Sequence, residues 1–244
     1  MINDAPKSVC ILRLSALGDV CHVLAVIRTL QHAWPETRFT WVIGKLEAKL
    51  LGHLPDIEFI VFDKKEGRTA YRKLKQQLRG RKFDVLMHMQ LALRASVAAW
   101  MIPAKIKLGF DFARAGELQW LFTNRKIAAQ GNQHVLDGLF GFAEYFGIHE
   151  RLLQWNVPLT ADAKRYAEQV IPDSQPTLVI SPCSSHAMRN WRPEYYADVA
   201  DYAVERFGMR VLLCGGRSEL ELKTGEAIVR RMRHPANNLI GKDT

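Results

Sequence analysis

The feature that most restricts the fold is an alternation of two periods. Short runs that are apolar almost throughout (SVCILRL, FTWVIG, IEFIVFD, FDVLMHM and KIKLGF) recur from Ser8 to Phe110. A strand with one face in water alternates apolar and polar residues. Runs without that alternation suit a parallel sheet covered on both faces. Between them the spacing becomes helical. Val20, Val23, Leu24 and Ile27 stand at i, i+3, i+4 and i+7, one side of a 3.6-residue period. Tyr71–Leu78 reads as a basic helix with a thin apolar stripe, and Ala95–Ile102 as an apolar helix closed by Pro103. Such strand–helix–strand alternation is the pattern of a doubly wound α/β domain.

A longer helix, VLDGLFGFAEYFG, completes this unit after His134. In the connection that follows, Thr160 or Asp162 is a helix cap, and Pro172 and Pro176 are stop signals. From Thr177 the pattern restarts with TLVISPCSS as strand and loop, Pro193–Phe207 as helix, and MRVLLCGG as a strand with a glycine pair. SELELKTGEAIVRRM is a further helix and NNLIG the start of a strand. Two domains are predicted, residues 1–158 and 159–244. The second holds only two or three strands, against about five or six in an ordinary sheet. The expectation is that the chain ends inside its second domain.

Composition narrows the class. The chain has 244 residues, 48% hydrophobic and 24% charged, as in globular domains. No run approaches the roughly 18 apolar residues of a membrane helix, and MINDAPKS lacks the charged-then-apolar order of a signal peptide. A cytoplasmic location is expected. Cys10, Cys21, Cys183 and Cys214 lie far apart in apolar surroundings, as small buried thiols rather than a zinc or disulfide set. The net charge of +9 suits either an ordinary basic surface or an anionic partner. Its densest stretch carries Lys64, Lys65, Arg68, Arg72, Lys73, Lys75, Arg79, Arg81 and Lys82 without the interleaved aromatics of a nucleic-acid platform. Nucleic acid is therefore not the expected partner.

Ligands of open parallel sheets bind beyond the carboxyl ends of the strands, and three loops stand there. The first, Ser15-Ala16-Leu17-Gly18-Asp19, has small residues that let a ligand near the backbone and one carboxylate at a helix start. Asp19 either caps that helix or accepts a proton. The second runs from Ser181 through Ser184, Ser185 and His186 to Arg189 and Trp191. Two hydroxyls and a guanidinium make a phosphate cradle; an ordinary loop with a serine cap is the plain alternative. The third, Gly215-Gly216-Arg217-Ser218-Glu219, offers Glu219 to ribose hydroxyls or merely a turn and a helix-start glutamate. Neither G-x-G-x-x-G nor a Walker pattern is present.

Three segments in this order resemble the ADP-heptose:lipopolysaccharide heptosyltransferases, glycosyltransferases of GT-B architecture: RLSALGDVCHVLAVIRTL, DFARAGELQWLFTNRK and SPCSSHAMRNWRPEYYADVADYAVERFGMRVLLCGG. The similarity extends over essentially the whole chain. It implies two Rossmann-like domains, the first binding acceptor and the second nucleotide-sugar donor. It also implies transfer of L-glycero-D-manno-heptose from ADP-heptose to the Kdo region of the lipopolysaccharide inner core, with inversion, no metal and no cofactor. In that resemblance Asp19 matches the general base. Ser184, Ser185 and Arg189 match donor phosphate contacts, and Glu219 the ribose-binding acid. Ser15 and Gly18 belong to the donor side. Arg13, Arg94, Arg114 and Arg125 are basic positions suited to an anionic acceptor. The family's later Asp-Ser/Thr-Gly-x-x-His motif has no match before Thr244. The expectation is a fragment or truncated product of a longer enzyme. A transferase of different sugar specificity, or a truncated chain that only binds, are the alternatives. Peripheral contact with the cytoplasmic face of the inner membrane is expected from the basic charge, matched to anionic substrates and an anionic leaflet, plus exposed apolar or aromatic residues; Trp100, Met101 and Trp120 are either such contacts or packed in the core.

Overall fold

The computed structural model describes residues 5–184 and 186–242. The chain forms two compact units, Met1–Pro158 and Leu159–Thr244. The first unit contains, in chain order, β1 (Ser8–Leu12), α1 (Leu17–Ala33), β2 (Arg38–Gly44), α2 (Lys45–Leu51), β3 (Ile57–Phe62), α3 (Arg68–Gln77), β4 (Phe83–His88), α4 (Leu93–Met101), β5 (Ala104–Gly109), β6 (Arg125–Lys126) and α5 (Val135–Glu144). The sheet order is β3-β2-β1-β4-β5-β6 and every pairing is parallel.

The apolar runs behave as a doubly covered sheet requires. Along β1, Val9 and Ile11 enter one core with Val20, Val23, Leu24 and Ile27 of α1 and Leu139, Phe140 and Phe142 of α5. Cys10 and Leu12 point the other way, into a core with Ala70 and Leu74 of α3 and Ala95, Ala98 and Ala99 of α4. Each fully buried Leu, Ile or Val in these layers contributes about 1.5–3 kcal/mol. The topology places the ligand end: the chain winds outward from β1 to β3, then crosses back to β4 and winds the other way. Leu12 of β1 pairs with His88 of β4, so the loops leaving these two strands stand side by side where the winding reverses. That crevice is where ligands of such sheets bind.

The second unit holds α6 (Ala161–Val170), β7 (Thr177–Ile180), α7 (Pro193–Phe207), β8 (Arg210–Leu213), α8 (Glu219–Arg231) and β9 (Asn237–Asn238), with a parallel sheet in the order β7-β8-β9. Thr160, not Asp162, caps α6: its Oγ1 accepts from the Ala163 N–H at 3.2 Å. α7 opens with Pro193 at its first turn and stops at Gly208, whose φ of 62° lies in the left-handed region glycine enters freely. Its buried Asp201 accepts backbone hydrogen bonds from Arg233 and His234 at 3.0 and 3.1 Å, fastening the turn after α8.

Three elements depart from the sequence expectation. α2 and the two-residue β6 lie where no element was predicted, and β9 is a stub of the NNLIG strand. α2 is too short, and β6 too polar, to carry a readable period. Cys10, Cys21 and Cys183 are free thiols; Cys10 is buried as expected, whereas Cys21 and Cys183 are partly exposed. No helix among the described residues is long and apolar enough to cross a membrane.

Candidate active site

Arg13 and Leu14 leave β1 under tight restraint. The Trp41 Nε1–H donates to the Arg13 carbonyl at 3.1 Å, and the Leu14 N–H donates to Gln90 Oε1 at 2.6 Å. The Arg13 guanidinium lies half-buried across the crevice. Its Nε donates to the Ser15 carbonyl at 2.7 Å and its Nη1 to the Met89 carbonyl, just past β4, at 2.5 Å. Its Nη2 makes an ion pair with Asp19 Oδ2. All three guanidinium nitrogens therefore act on the walls of the crevice, and Arg13 orients Asp19.

The two readings of Asp19 turn out to be compatible. It is the third residue of α1, and its Oδ2 accepts from the Ala16 N–H at 3.1 Å, satisfying a donor the helix start leaves open. The Arg13 ion pair falls on the same oxygen. Oδ1 has no hydrogen-bond partner among the described residues. Asp19 is partly exposed and lines a cavity of about 560 Å³ with Arg13, Ser15, Gln90, Phe110, Arg114 and His134. The carboxylate is thus held in place through one oxygen and open to the cavity.

Arg114 belongs to the same cavity. It pairs with buried Asp111, and its guanidinium carbon lies 5.4 Å from the Phe110 ring centroid. Its Nη2 is buried without a partner among the described residues. Gly138 of α5 makes room for it, since a Cβ there would come within 2.7 Å of Arg114 Nη1. Ser15 faces this cavity and a second one of about 410 Å³, lined also by Lys45, Lys49, Lys64, Lys65, Gln90 and Arg94. Arg94 thus stands in the adjoining basic pocket. Arg125, on β6, lines neither; its Nη1 donates to the Asn124 carbonyl at 2.9 Å. Gly18 is exposed, and a Cβ there would touch nothing within 4 Å. The basic stretch from Lys64 to Lys82 is divided. Lys64 and Lys65 face the second cavity, whereas Arg72, Lys75, Arg79 and Arg81 line another, of about 650 Å³, with Met101 and Pro103.

Two glutamines, Gln90 and Gln119, hold the crevice together. Gln90 Nε2 donates to Ser15 Oγ at 3.1 Å. Gln119, fully buried, donates to the carbonyls of His88 and Gln90 at 2.9 and 3.2 Å and accepts from the Phe110 N–H at 3.0 Å. It thereby ties the ends of β4 and β5. His88 is buried beneath, with Nε2 3.1 Å from Ser96 Oγ. Desolvation lowers its pKa to about 3, so it is neutral at pH 7.

In the second unit the predicted donor residues lie on the loops after β7 and β8. Ser184 closes a local turn: its Oγ donates to the His186 carbonyl at 3.0 Å, and its N–H donates to Asn190 Oδ1 at 2.7 Å. Ser185 lies outside the described residues. Arg189 is exposed at the end of a short 3₁₀ turn. Glu219 opens α8 and pairs with Lys223 at 2.6 Å. The carboxylate that shapes this loop is Glu221. It accepts from the Gly216 N–H at 2.7 Å and from Ser218 Oγ at 2.6 Å, and the Ser218 hydrogen bond foremost lowers its pKa. Ser218-x-x-Glu221 is a capping box, a signal that the spacing of serine and glutamate carries in the sequence.

Residues 71–244 match the family model of glycosyltransferase family 9 (heptosyltransferase). The chain is 43% identical over 242 residues to the lipopolysaccharide core heptosyltransferase OpsX of Haemophilus influenzae, spanning 99% of this chain and 70% of that protein. A glycosyl transferase family 9 structure from Veillonella parvula superposes with a TM-score of 0.82 at 24% identity, over 97% of this chain and 69% of that one. The Escherichia coli heptosyltransferase WaaC with ADP-2-deoxy-2-fluoro heptose gives 0.74 at 20% identity, over 97% and 77%.

Proposed function

The chain belongs to glycosyltransferase family 9, the heptosyltransferases, and from that membership we propose that it transfers L-glycero-D-manno-heptose from ADP-heptose to the Kdo region of the lipopolysaccharide core, with inversion and with Asp19 as general base. Its fold, two units each with a parallel sheet, is that of the family's GT-B enzymes. The observation that carries the proposal is Asp19 at the winding reversal, fixed by Arg13 and Ala16 through Oδ2 and lining the cavity.

In this reading an acceptor hydroxyl enters the first unit's cavity and gives its proton to Asp19 as its oxygen attacks the anomeric carbon. The bond to the ADP oxygen breaks on the opposite face, which inverts the configuration. Carboxylate orientation matters because proton transfer demands a hydrogen-bonded approach. The Arg114 guanidinium supplies a cation to an acidic sugar, with Arg94 and the lysines of the adjoining cavity beside it. The donor residues are Ser184, Ser185, Arg189 and Glu219. Ser15 and Gly18 form the small-residue floor that a donor approaches, and Arg125 is a peripheral acceptor contact. The donor assignment is supported by the ADP-sugar analogue of the WaaC structure and the lipopolysaccharide acceptor by the name of OpsX. No metal or cofactor takes part in this scheme. A peripheral location on the cytoplasmic face of the inner membrane is part of this proposal, supported by the net charge of +9 and a lipid-linked anionic acceptor.

The test is a donor and product assay. With Kdo-lipid A, ADP-heptose yields a heptosylated product of inverted anomeric configuration by NMR, and UDP- or GDP-sugars yield none. Transfer from another nucleotide sugar in preference to ADP-heptose, or retention of configuration, overturns the reading.

A further inference from the structure

The segment between β5 and β6 holds its large apolar side chains in water. Phe112 is 69% exposed, Leu118 53%, Trp120 41% and Leu121 58%. They are neighbours in space. The Phe112 and Trp120 ring centroids are 6.3 Å apart, and Leu118 and Leu121 close one turn around Trp120 with a 3.0 Å backbone hydrogen bond. Leu93, also exposed, is tied to the same segment through its N–H, which donates to Glu117 Oε2 at 2.5 Å. An apolar cluster of this kind on a folded surface marks a site of interaction. It is also built rather than slack, since the Gln119 side chain anchors it to the carbonyls of His88 and Gln90.

Its border is cationic. Lys126 Nζ lies 4.9 Å above the Phe112 ring, with Arg125 beside it on β6. Arg94 is exposed next to Leu93, and Lys45, Lys64 and Lys65 stand on the same end of the sheet, where the strands terminate. Of the nearby carboxylates, Asp111 is paired with Arg114, Asp63 with Lys45, and Glu117 bonds the start of α4. Aromatic and aliphatic side chains bordered by Lys126, Arg125 and Arg94 have the chemistry that settles at the headgroup level of an anionic bilayer.

We infer that Phe112, Leu118, Trp120 and Leu121 form a docking surface for an anionic lipid bilayer. The surface turns the strand-terminal rim, and the Asp19 cavity with it, toward the lipid. Arg114 lies in the same segment and lines that cavity, so docking sets the cavity at the depth of the headgroups. The purpose of the docking rests on the heptosyltransferase reading; the lipid contact does not. Trp100 takes no part. It is exposed, but it closes α4 just before β5 begins, at the opposite end of the sheet.

The test is co-sedimentation of the protein with phosphatidylglycerol–phosphatidylcholine vesicles and with phosphatidylcholine alone, for the parent, F112S/W120S and W100S. The parent and W100S pellet with the anionic vesicles, less so in high salt, and F112S/W120S partitions about tenfold more weakly with an unchanged melting temperature. The same double variant transfers to a water-soluble, deacylated acceptor at the parent rate, while its KM for acceptor embedded in vesicles rises. Parent protein that stays in solution with anionic vesicles overturns the inference, as does undiminished binding of F112S/W120S. A parent dimer that F112S/W120S dissociates also overturns it, by assigning the surface to a second copy. Vesicle binding needs neither donor nor turnover, so a protein that docks through these residues yet transfers no heptose fails the functional reading alone.

Discussion

The loops after β1 and β7 leave the first strands of their respective sheets, yet they are held in opposite ways. Around the first, restraint comes from other elements: Trp41 of β2 holds the Arg13 carbonyl, Gln90 beyond β4 holds Leu14 and Ser15, and Arg13 reaches the Met89 carbonyl. In the second, among the described residues, Ser184, His186 and Asn190 bond mainly to one another, and Tyr196 Oη donates to the Pro182 carbonyl at 3.3 Å. The difference follows the chemistry assigned to each. A base must be held to a fraction of an ångström by neighbours that are themselves fixed. A phosphate-binding loop needs only exposed donors of the right charge.

The bracing of the crevice depends most on Gln119. Gln119→Leu leaves two carbonyls and one N–H of the crevice without partners and destabilises the protein by about 3 kcal/mol in denaturant unfolding. A loss under about 1 kcal/mol would show that the crevice is not braced from β5. Next is Arg13→Met, which frees Asp19 and lowers kcat about a hundredfold, some 2.7 kcal/mol of barrier. Arg13→Lys recovers part of the rate, and KM for ADP-heptose hardly moves; equal loss in both variants would reduce Arg13 to bulk. The His88 effect is more gradual. Its folded pKa of about 3 lies below its ordinary 6.5, so only the unfolded chain takes up this proton as pH falls between those values. Stability declines by about 1.4 kcal/mol per pH unit from this group. His88→Gln removes that slope, and parallel pH curves for parent and variant would contradict the assignment. The smallest effect is at the β7 loop, where Ser184→Ala costs about 0.5 kcal/mol because the turn is exposed. A cost of several times that would show the loop to be as firmly braced as its counterpart.

What the sequence disclosed depended on whether a signal was local. The β1–loop–α1 unit is legible because apolar run, small-residue turn and helical spacing follow one another directly. Pro193–Phe207 matches its helix residue for residue because Pro and Gly bound it. The partners of the site were hidden. Arg13 reads as a free cation in a motif, and only folding brings the Met89 carbonyl to it. Gln90 lies outside the resembling segments and Gln119 sits inside one without a sign of its role, because their importance lies in carbonyls and amides of other strands. Arg125 matched by motif position but sits away from the cavity, on an edge strand that two residues cannot announce. The core reading of Trp100 and Trp120 failed because periodicity reports which residues could be buried, not whether a covering element reaches them.

In the proposed mechanism Asp19 is a base held in position by Arg13, and the most direct measurement is the rate of heptosyl transfer to Kdo-lipid A by Asp19→Asn beside the parent. The amide keeps size and an oxygen acceptor but cannot carry the proton away. The predicted result is a kcat lowered about a thousandfold with ADP-heptose binding retained. Transfer near the parent rate by Asp19→Asn would contradict the account.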